Sequence, residues 1–284
     1  MSSQSSAVSS SVPTPSTPGS KTINRSAMNQ AIKFDDRGRA LLNLACGTRT
    51  DANWNNLDFS PYALLRRQPL LVKFLRKTGF LSDQRYLRLQ AVDPAIIRWN
   101  LARGIPFEGA SFDVVYHSHF LEHLDRGAAL LFLRECHRVL KTDGILRVVV
   151  PDLELLLRTY CTALADLDLE DSLTAETAHE CAIYRLFDQM VRSEVSGAEE
   201  QMPWVRRIER LIRGNAATTG ENHRWMYDRH SLARILRRIG FRDVQRQNAT
   251  TSAIAGWEGC FLDYEQDGQA WKPNSLYLEA RKAV

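Results

Sequence analysis

A short apolar run, Leu41-Leu42-Asn43-Leu44, ends on Ala45-Cys46-Gly47-Thr48, and a second run, Trp54 to Ser60, closes on Asp58. The first run reads as a strand buried on both faces. Cys46-Gly47 ends it with two small residues, so the backbone can turn tightly and a ligand can lie against it. An acid at the end of the second strand, eleven residues past Gly47, can accept ribose hydroxyls while backbone N–H groups of the turn face the ligand. The arrangement suits a nucleoside. A tight turn in any α/β domain, followed by a surface aspartate, would read the same way.

The rest of the chain extends this into an α/β pattern. Ala95 to Trp99 reads as a third strand with Asn100-Leu101 at its end, and Ser111 to Tyr116 as a fourth. Asp125 can cap a helix whose Ala129, Phe132, Leu133, Cys136 and Leu140 share one face, with Lys141 and Gly144 at its C-terminus. Ile145 to Val150 is a fifth, fully apolar strand ending at Pro151. Strand, helix and strand at this spacing imply a parallel sheet with right-handed crossovers. Asp228 caps a last helix, stopped by Gly240, and Phe241 to Gln245 and Ser275 to Ala280 are the final strands.

Two segments interrupt that pattern. Residues 61–94 begin with a basic amphipathic stretch, one helix or two broken near Pro69, carrying Arg66, Arg67, Lys73, Arg76 and Lys77 and no acid up to Phe80. Such a face is either solvated or docks an anionic substrate or a membrane surface. Residues 152–220 read as an inserted helical cap, with Ile183, Leu186, Phe187 and Met190 at helical spacing. Both leave the sheet at the carboxyl ends of strands, where open α/β sheets bind ligands. The first 28 residues form a Ser/Pro-rich tail expected to be disordered, which leaves 29–284 as one domain.

Composition narrows the function classes. A net charge of +4 on 284 residues is too mild for a nucleic-acid-binding signature. The five cysteines form no CxxC pair and read as reduced thiols of a cytoplasmic protein, not as a disulfide frame or a zinc site. No apolar run approaches the roughly 20 residues that a membrane span needs, which leaves peripheral membrane contact.

Three blocks carry a resemblance to a known family: Leu42 to Thr48, Gly104 to Phe107 with Ser111 to Leu124, and Phe132 to Lys141 with Gly144 to Leu146. In them the chain resembles class I S-adenosylmethionine-dependent methyltransferases of the small-molecule type. The resemblance implies a Rossmann-like α/β fold, a mostly parallel sheet and S-adenosylmethionine as cofactor. It also implies a cofactor site at Asn43, Ala45, Cys46, Gly47, Asp58, Asn100 and Leu101, with Ser118 and His119 in the turn beneath. The chain departs from the family where an acid usually stands at Asn43, glycines at Ala45 and near Arg49, and an acid at Asn100. Only eleven residues separate Gly47 from Asp58, so the family's first crossover helix has no room.

The sulfonium of that cofactor already makes its methyl electrophilic, so such a protein mainly aligns the reactants. A general base is needed only for a neutral hydroxyl or a protonated amine. His223, in the polar and aromatic run Glu221 to Asp228, is the first choice for it because its pKa lies near working pH; His123 is the second. His117 and His119 form an HxH pair that could bind zinc with His123, but the resemblance accounts for that whole run and no metal is expected. The leading expectation is methyl transfer to a heteroatom, a hydroxyl first, of a small, anionic or lipid- or glycan-linked acceptor. A non-catalytic cofactor-binding scaffold is the alternative. A dehydrogenase is disfavoured because the loop lacks G-x-G-x-x-G.

Overall fold

The computed structural model describes residues 25–59, 61–169, 172–190 and 223–283. Their centre is one seven-stranded sheet: β1 (Leu41–Leu44), β2 (Asn55–Asp58), β3 (Ile97–Arg98), β4 (Phe112–Ser118), β5 (Leu140–Pro151), β6 (Phe241–Gln247) and β7 (Ser275–Lys282). The spatial order is β3-β2-β1-β4-β5-β7-β6. The first five strands run parallel, and β7 lies antiparallel between β5 and β6. The chain therefore runs outward from β1 to β3 and restarts at β4 on the other side of β1. That reversal opens a crevice at the carboxyl ends of β1 and β4.

All four residues of β1 are buried, as a strand covered on both faces requires. On one face, helix α5 (Arg126–Val139) packs Ala129, Phe132, Leu133, Cys136 and Val139 against the sheet; Asp125 starts it by accepting the Ala128 N–H at 2.8 Å. Burying the larger of these side chains, Phe132, Leu133 and Val139, contributes about 1.5–3 kcal/mol each. The last helix, α8 (Arg229–Ile239), has a reciprocal cap between Asp228 and Ser231 and ends on Gly240 at φ 116°, a left-handed conformation that glycine adopts without strain.

The other face is covered without a helix. No helix lies between β1 and β2, in keeping with the short spacing. In its place the segment between β6 and β7 folds back over the sheet: Trp257, Leu262 and Tyr264 pack on Leu41, Trp54, Val114 and Tyr116. A buried ion group fastens this cover. Arg147, fully enclosed on β5, reaches Asp263 Oδ2 at 2.8 Å and Glu279 Oε1 at 2.7 Å, and donates to the carbonyls of Asn248 and Thr251. Its guanidinium stacks on Trp257 with 4.2 Å from Cζ to the ring centroid.

The 61–94 insertion is three helices, α2 (Pro61–Leu65), α3 (Pro69–Lys77) and α4 (Asp83–Gln90). Its Tyr62 and Val92 pack on Cys46, so it sits against the β1–β2 turn. Of the 152–220 cap, α6 (Leu153–Leu169) and α7 (Leu173–Met190) pack as a hairpin; the expected helices beyond 190 lie outside the described residues. No described helix is long and apolar enough to cross a membrane.

The structure corrects several boundaries. Arg25–Gln30 is a helix (α1), so the expected tail over 1–28 overlaps the fold, and its residues 1–24 lie outside the described ones. β3 keeps only two of the five expected residues. β5 begins at Leu140, because Leu140 already pairs with Phe112 ahead of a register shift; Lys141 and Gly144 thus belong to a strand and not to a helix end. On α7 the expected helical stripe is present, with Ile183 and Leu186 half-buried and Phe187 64% exposed. The basic face around α3 is smaller than its sequence suggests: Arg67 donates to the backbone oxygens of Ile96 and Pro94, and Arg76 pairs with Asp83.

Candidate functional site

At the crevice, β1 ends on Ala45 at φ 52° and Gly47 at φ 55°. Ala45 therefore holds a left-handed backbone that a Cβ disfavours, which is the physical reason a glycine is the usual occupant. A Cβ built on Gly47 would meet nothing within 4 Å, so the backbone there borders open space. Gly47 donates its N–H to Asp58 Oδ2 at 2.7 Å. A carboxylate has about four acceptor positions, so this one bond does not exhaust what Asp58 can accept. Burial, and then the charge of Asp58, push the Cys46 thiol well up, so it stays neutral.

Asn43, the residue in place of an acid, turns into the loop. Its amide donates to the Arg49 carbonyl at 2.8 Å and to Asn56 Oδ1 at 3.0 Å, so it shapes the turn and only its oxygen remains for a ligand. Arg49 in turn stacks on Trp271, 3.6 Å from Cζ to centroid, and pairs with Glu265, which clamps the turn to the loop ahead of β7. Asn100 and Leu101 stand just past β3, where the Asn100 oxygen accepts the Ala102 N–H at 3.0 Å and starts a short 3₁₀ turn.

Beyond β4 the chain enters a second 3₁₀ turn, Leu121–His123, by way of Ser118 and His119, the latter at φ 49°. Here lies a cavity of about 320 Å³ whose walls include His119, Glu122, His123, Leu156, His223 and Lys272. The Glu122 carbonyl accepts the N–H of Arg224 at 2.7 Å and of Trp225 at 3.2 Å, which brings His223 beside a turn 100 positions earlier in the chain. The His123 and His223 rings meet edge to face with centroids 4.8 Å apart. The Glu122 carboxylate is fully buried; His119 Nδ1 stands 3.3 Å and His223 Nε2 3.9 Å from its Oε1. Burial opposes its charge, but His119 and the charge of His123 outweigh that, so the carboxyl is held below its ordinary range. Burial also lowers the His119 pKa.

The structure thus gathers His123, His223, Glu122 and His119 in one cavity and the Gly47–Asp58 pair at the neighbouring turn. His117 is absent from the cluster. It is enclosed against Phe132, and burial drops its pKa to about 4. The sequence weighs Glu122, beside His123, as a structural hydrogen-bonder against an acid/base group, whereas the wall formed by Trp271 to Asn274, Arg185 and Asp188 escaped it. The density of polar groups around His223 was the signal nearest to that wall.

Residues 42–148 match the family model described as methyltransferase domain. Among solved structures the chain is similar to an S-adenosylmethionine-dependent methyltransferase from Archaeoglobus fulgidus, at 13% identity and TM-score 0.37 over 93% of this chain and 95% of that one. It is also similar to a geranyl diphosphate methyltransferase in complex with S-adenosylmethionine, at 14% identity and TM-score 0.34 over 91% and 85%. A possible exported protein from Bordetella parapertussis matches at 11% identity and TM-score 0.38, and the chain spans just under two thirds, 66%, of that protein while 92% of this one is covered. No curated protein matches the chain by sequence.

Proposed function

We propose that residues 42–148, which match the methyltransferase domain model, form a class I S-adenosylmethionine-dependent methyltransferase domain, and that the chain methylates a hydroxyl, or another heteroatom, of a small anionic acceptor, free or linked to a lipid or glycan. S-adenosylmethionine is the cofactor of this domain, and the residues at the crevice fit it. Asp58 would take the ribose hydroxyls, and the Cys46-Gly47 backbone would lie along the open face of the turn. Asn43 and Ala45 shape that turn. Asn100 and Leu101 would border the adenine, with Ser118 and His119 beneath.

When bound, the cofactor supplies an electrophilic methyl group, so the protein's tasks are alignment and removal of the acceptor's proton. The observation that carries the reading is the cavity in which His123 and His223 stand with Glu122, beside the turn that fits the cofactor. These two imidazoles, oriented by the Glu122 turn, are the residues assigned to activating the acceptor. Lys272 and Arg185 stand at the wall beside the carboxylates of Glu122 and Asp188, so an anionic acceptor would be met by these two cations. The buried thiols of Cys46 and Cys136 suit a reducing, cytoplasmic setting.

The test is incubation of the protein and a metabolite extract with methyl-deuterated cofactor, followed by mass spectrometry. A labelled product that disappears in His223→Ala supports the reading. Cofactor binding without any labelled product favours a non-catalytic scaffold, a reading that the Asn43 and Ala45 replacements in the turn support.

A further inference from the structure

We propose that Glu122, His123 and His223 bind a first-row divalent cation of the zinc class at the carboxyl end of β4. Each offers one ligand atom, and these atoms lie within 4.8 Å of one another. Zinc sits about 2.0–2.2 Å from imidazole nitrogen and carboxylate oxygen, so the three donors can close on one ion by small side-chain rotations. Two imidazoles and one carboxylate are a donor set that suits zinc, cobalt and iron better than magnesium or calcium.

Glu122 supplies the second, independent observation. Its carboxylate is fully buried, and neither oxygen has a hydrogen-bond partner among the described residues. A buried carboxylate left in this way is rare, because desolvation penalises it and protein folds satisfy such groups. Histidine pairing does not account for it. A charge-assisted hydrogen bond closes to about 2.7–2.9 Å, whereas His119 Nδ1 and His223 Nε2 remain 3.3 Å and 3.9 Å from Oε1. A cation between the carboxylate and the two imidazoles would satisfy the group.

The frame around the donors is rigid. Glu122 and His123 are adjacent in one 3₁₀ turn, and His223 is fixed by the two N–H groups that its neighbours donate to the Glu122 carbonyl. His119, whose Nε2 lies 2.8 Å from Ser275 Oγ, is itself held in place next to the carboxylate. Three protein ligands beside a cavity leave a position open, the pattern of a catalytic and not a structural zinc site.

The ion's role in methyl transfer rests on the proposed activity; its binding does not. With the ion bound, His123 and His223 would activate the acceptor as ligands and not as bases, and an acceptor hydroxyl on the open position would lose its proton to solvent near neutral pH. Its oxygen pair would then form the new O–C bond as the C–S bond breaks, the electron pair of that bond staying on sulfur.

The test uses the full chain, stripped with chelator and titrated with Zn²⁺ by calorimetry and with Co²⁺ by visible absorption. One equivalent should bind, Co²⁺ should give the intense band of a low-coordinate site, and Zn²⁺ should raise the melting temperature. Glu122→Gln and His223→Gln should each weaken Zn²⁺ binding by at least about 10-fold, the smallest effect typical of losing even an outer ligand, with S-adenosylhomocysteine affinity unchanged. If Glu122→Gln fails to fold, His223→Gln alone is read. Binding below one equivalent by the wild type, or binding unchanged in His223→Gln, overturns the proposal. Failure of the wild type to bind S-adenosylhomocysteine would remove the cofactor reading and leave the cation result standing.

Discussion

The Gly47 N–H is 2.7 Å from Asp58 Oδ2, which ties the end of β1 directly to the end of β2. In a domain with a crossover helix after β1, that helix would support the turn and present its dipole to a ligand. Here the support comes from three side chains. Asp58 holds Gly47, Asn43 holds the Arg49 carbonyl, and the Arg49 guanidinium lies on Trp271. The turn is therefore held by its own carboxylate and by the loop ahead of β7.

Replacing Arg147 should expose how much that loop depends on it. Arg147→Met leaves Asp263 and Glu279 buried without their common counter-charge. Breaking a buried pair from one side costs about 3–5 kcal/mol, and urea unfolding should show a loss of that size. A loss below about 1 kcal/mol would mean that the two acids find other partners and that the ion group does not fasten the cover.

Ala45→Gly should stabilise the fold. A left-handed residue with a Cβ is strained by about 1–2 kcal/mol, and the greater freedom of glycine in the unfolded chain takes back about 0.4–1 kcal/mol of that. The net expectation is a gain between about zero and about 1.6 kcal/mol. A clear loss of stability would show that the methyl group of Ala45 is needed for packing.

Glu135 should make stability depend on pH in the acid range. Burial raises its pKa, but the side-chain bond from Arg138 and the Ile105 N–H bond outweigh that, so the folded value lies below the ordinary 4.5. A group with a lowered folded pKa stabilises fully above its unfolded pKa and loses that contribution as pH falls through the folded one. Unfolding free energy should thus fall on acidification below about pH 4.5, and Glu135→Gln should flatten this slope. Parallel slopes for both proteins would exclude Glu135 as its source.

A docking role for the basic insertion would fall to α3, where Leu70, Lys73, Phe74 and Lys77 share one face and Leu70 and Phe74 are 81% and 61% exposed. Lys73→Glu/Lys77→Glu should lower turnover of the acceptor, with cofactor affinity held within a few-fold, and wild-type turnover should weaken with salt, since exposed charges are screened over about 10 Å at 0.1 M. Full activity of the double variant at low salt would make that face a solvated surface.

How much of this was legible follows from range along the chain. β1, β4 and α5 announce themselves through local patterns, a buried run, alternation into a turn, and a 3.6-residue stripe. So do the turn at Gly47 and the acid at Asp58. The cover over the second face does not, because Arg147 and Asp263 are 116 positions apart and the cover has no periodicity. The cavity is equally silent. Glu122 reads as one residue of a familiar run, and only the backbone bonds to Arg224 and Trp225 reveal that His223 belongs beside it. Asn43 looks like a weakened ligand in sequence, and the structure shows that its amide builds the turn.

Calorimetric titration with S-adenosylhomocysteine, on the wild type and on Asp58→Ala, tests most directly whether the crevice at Gly47 and Asp58 holds the cofactor. The wild type should bind one equivalent, and the variant should lose about 1–3 kcal/mol of binding energy, the range for a hydrogen bond to a charged group, while still folding by circular dichroism. A wild type that does not bind, or a folded Asp58→Ala protein that binds equally well, would contradict it.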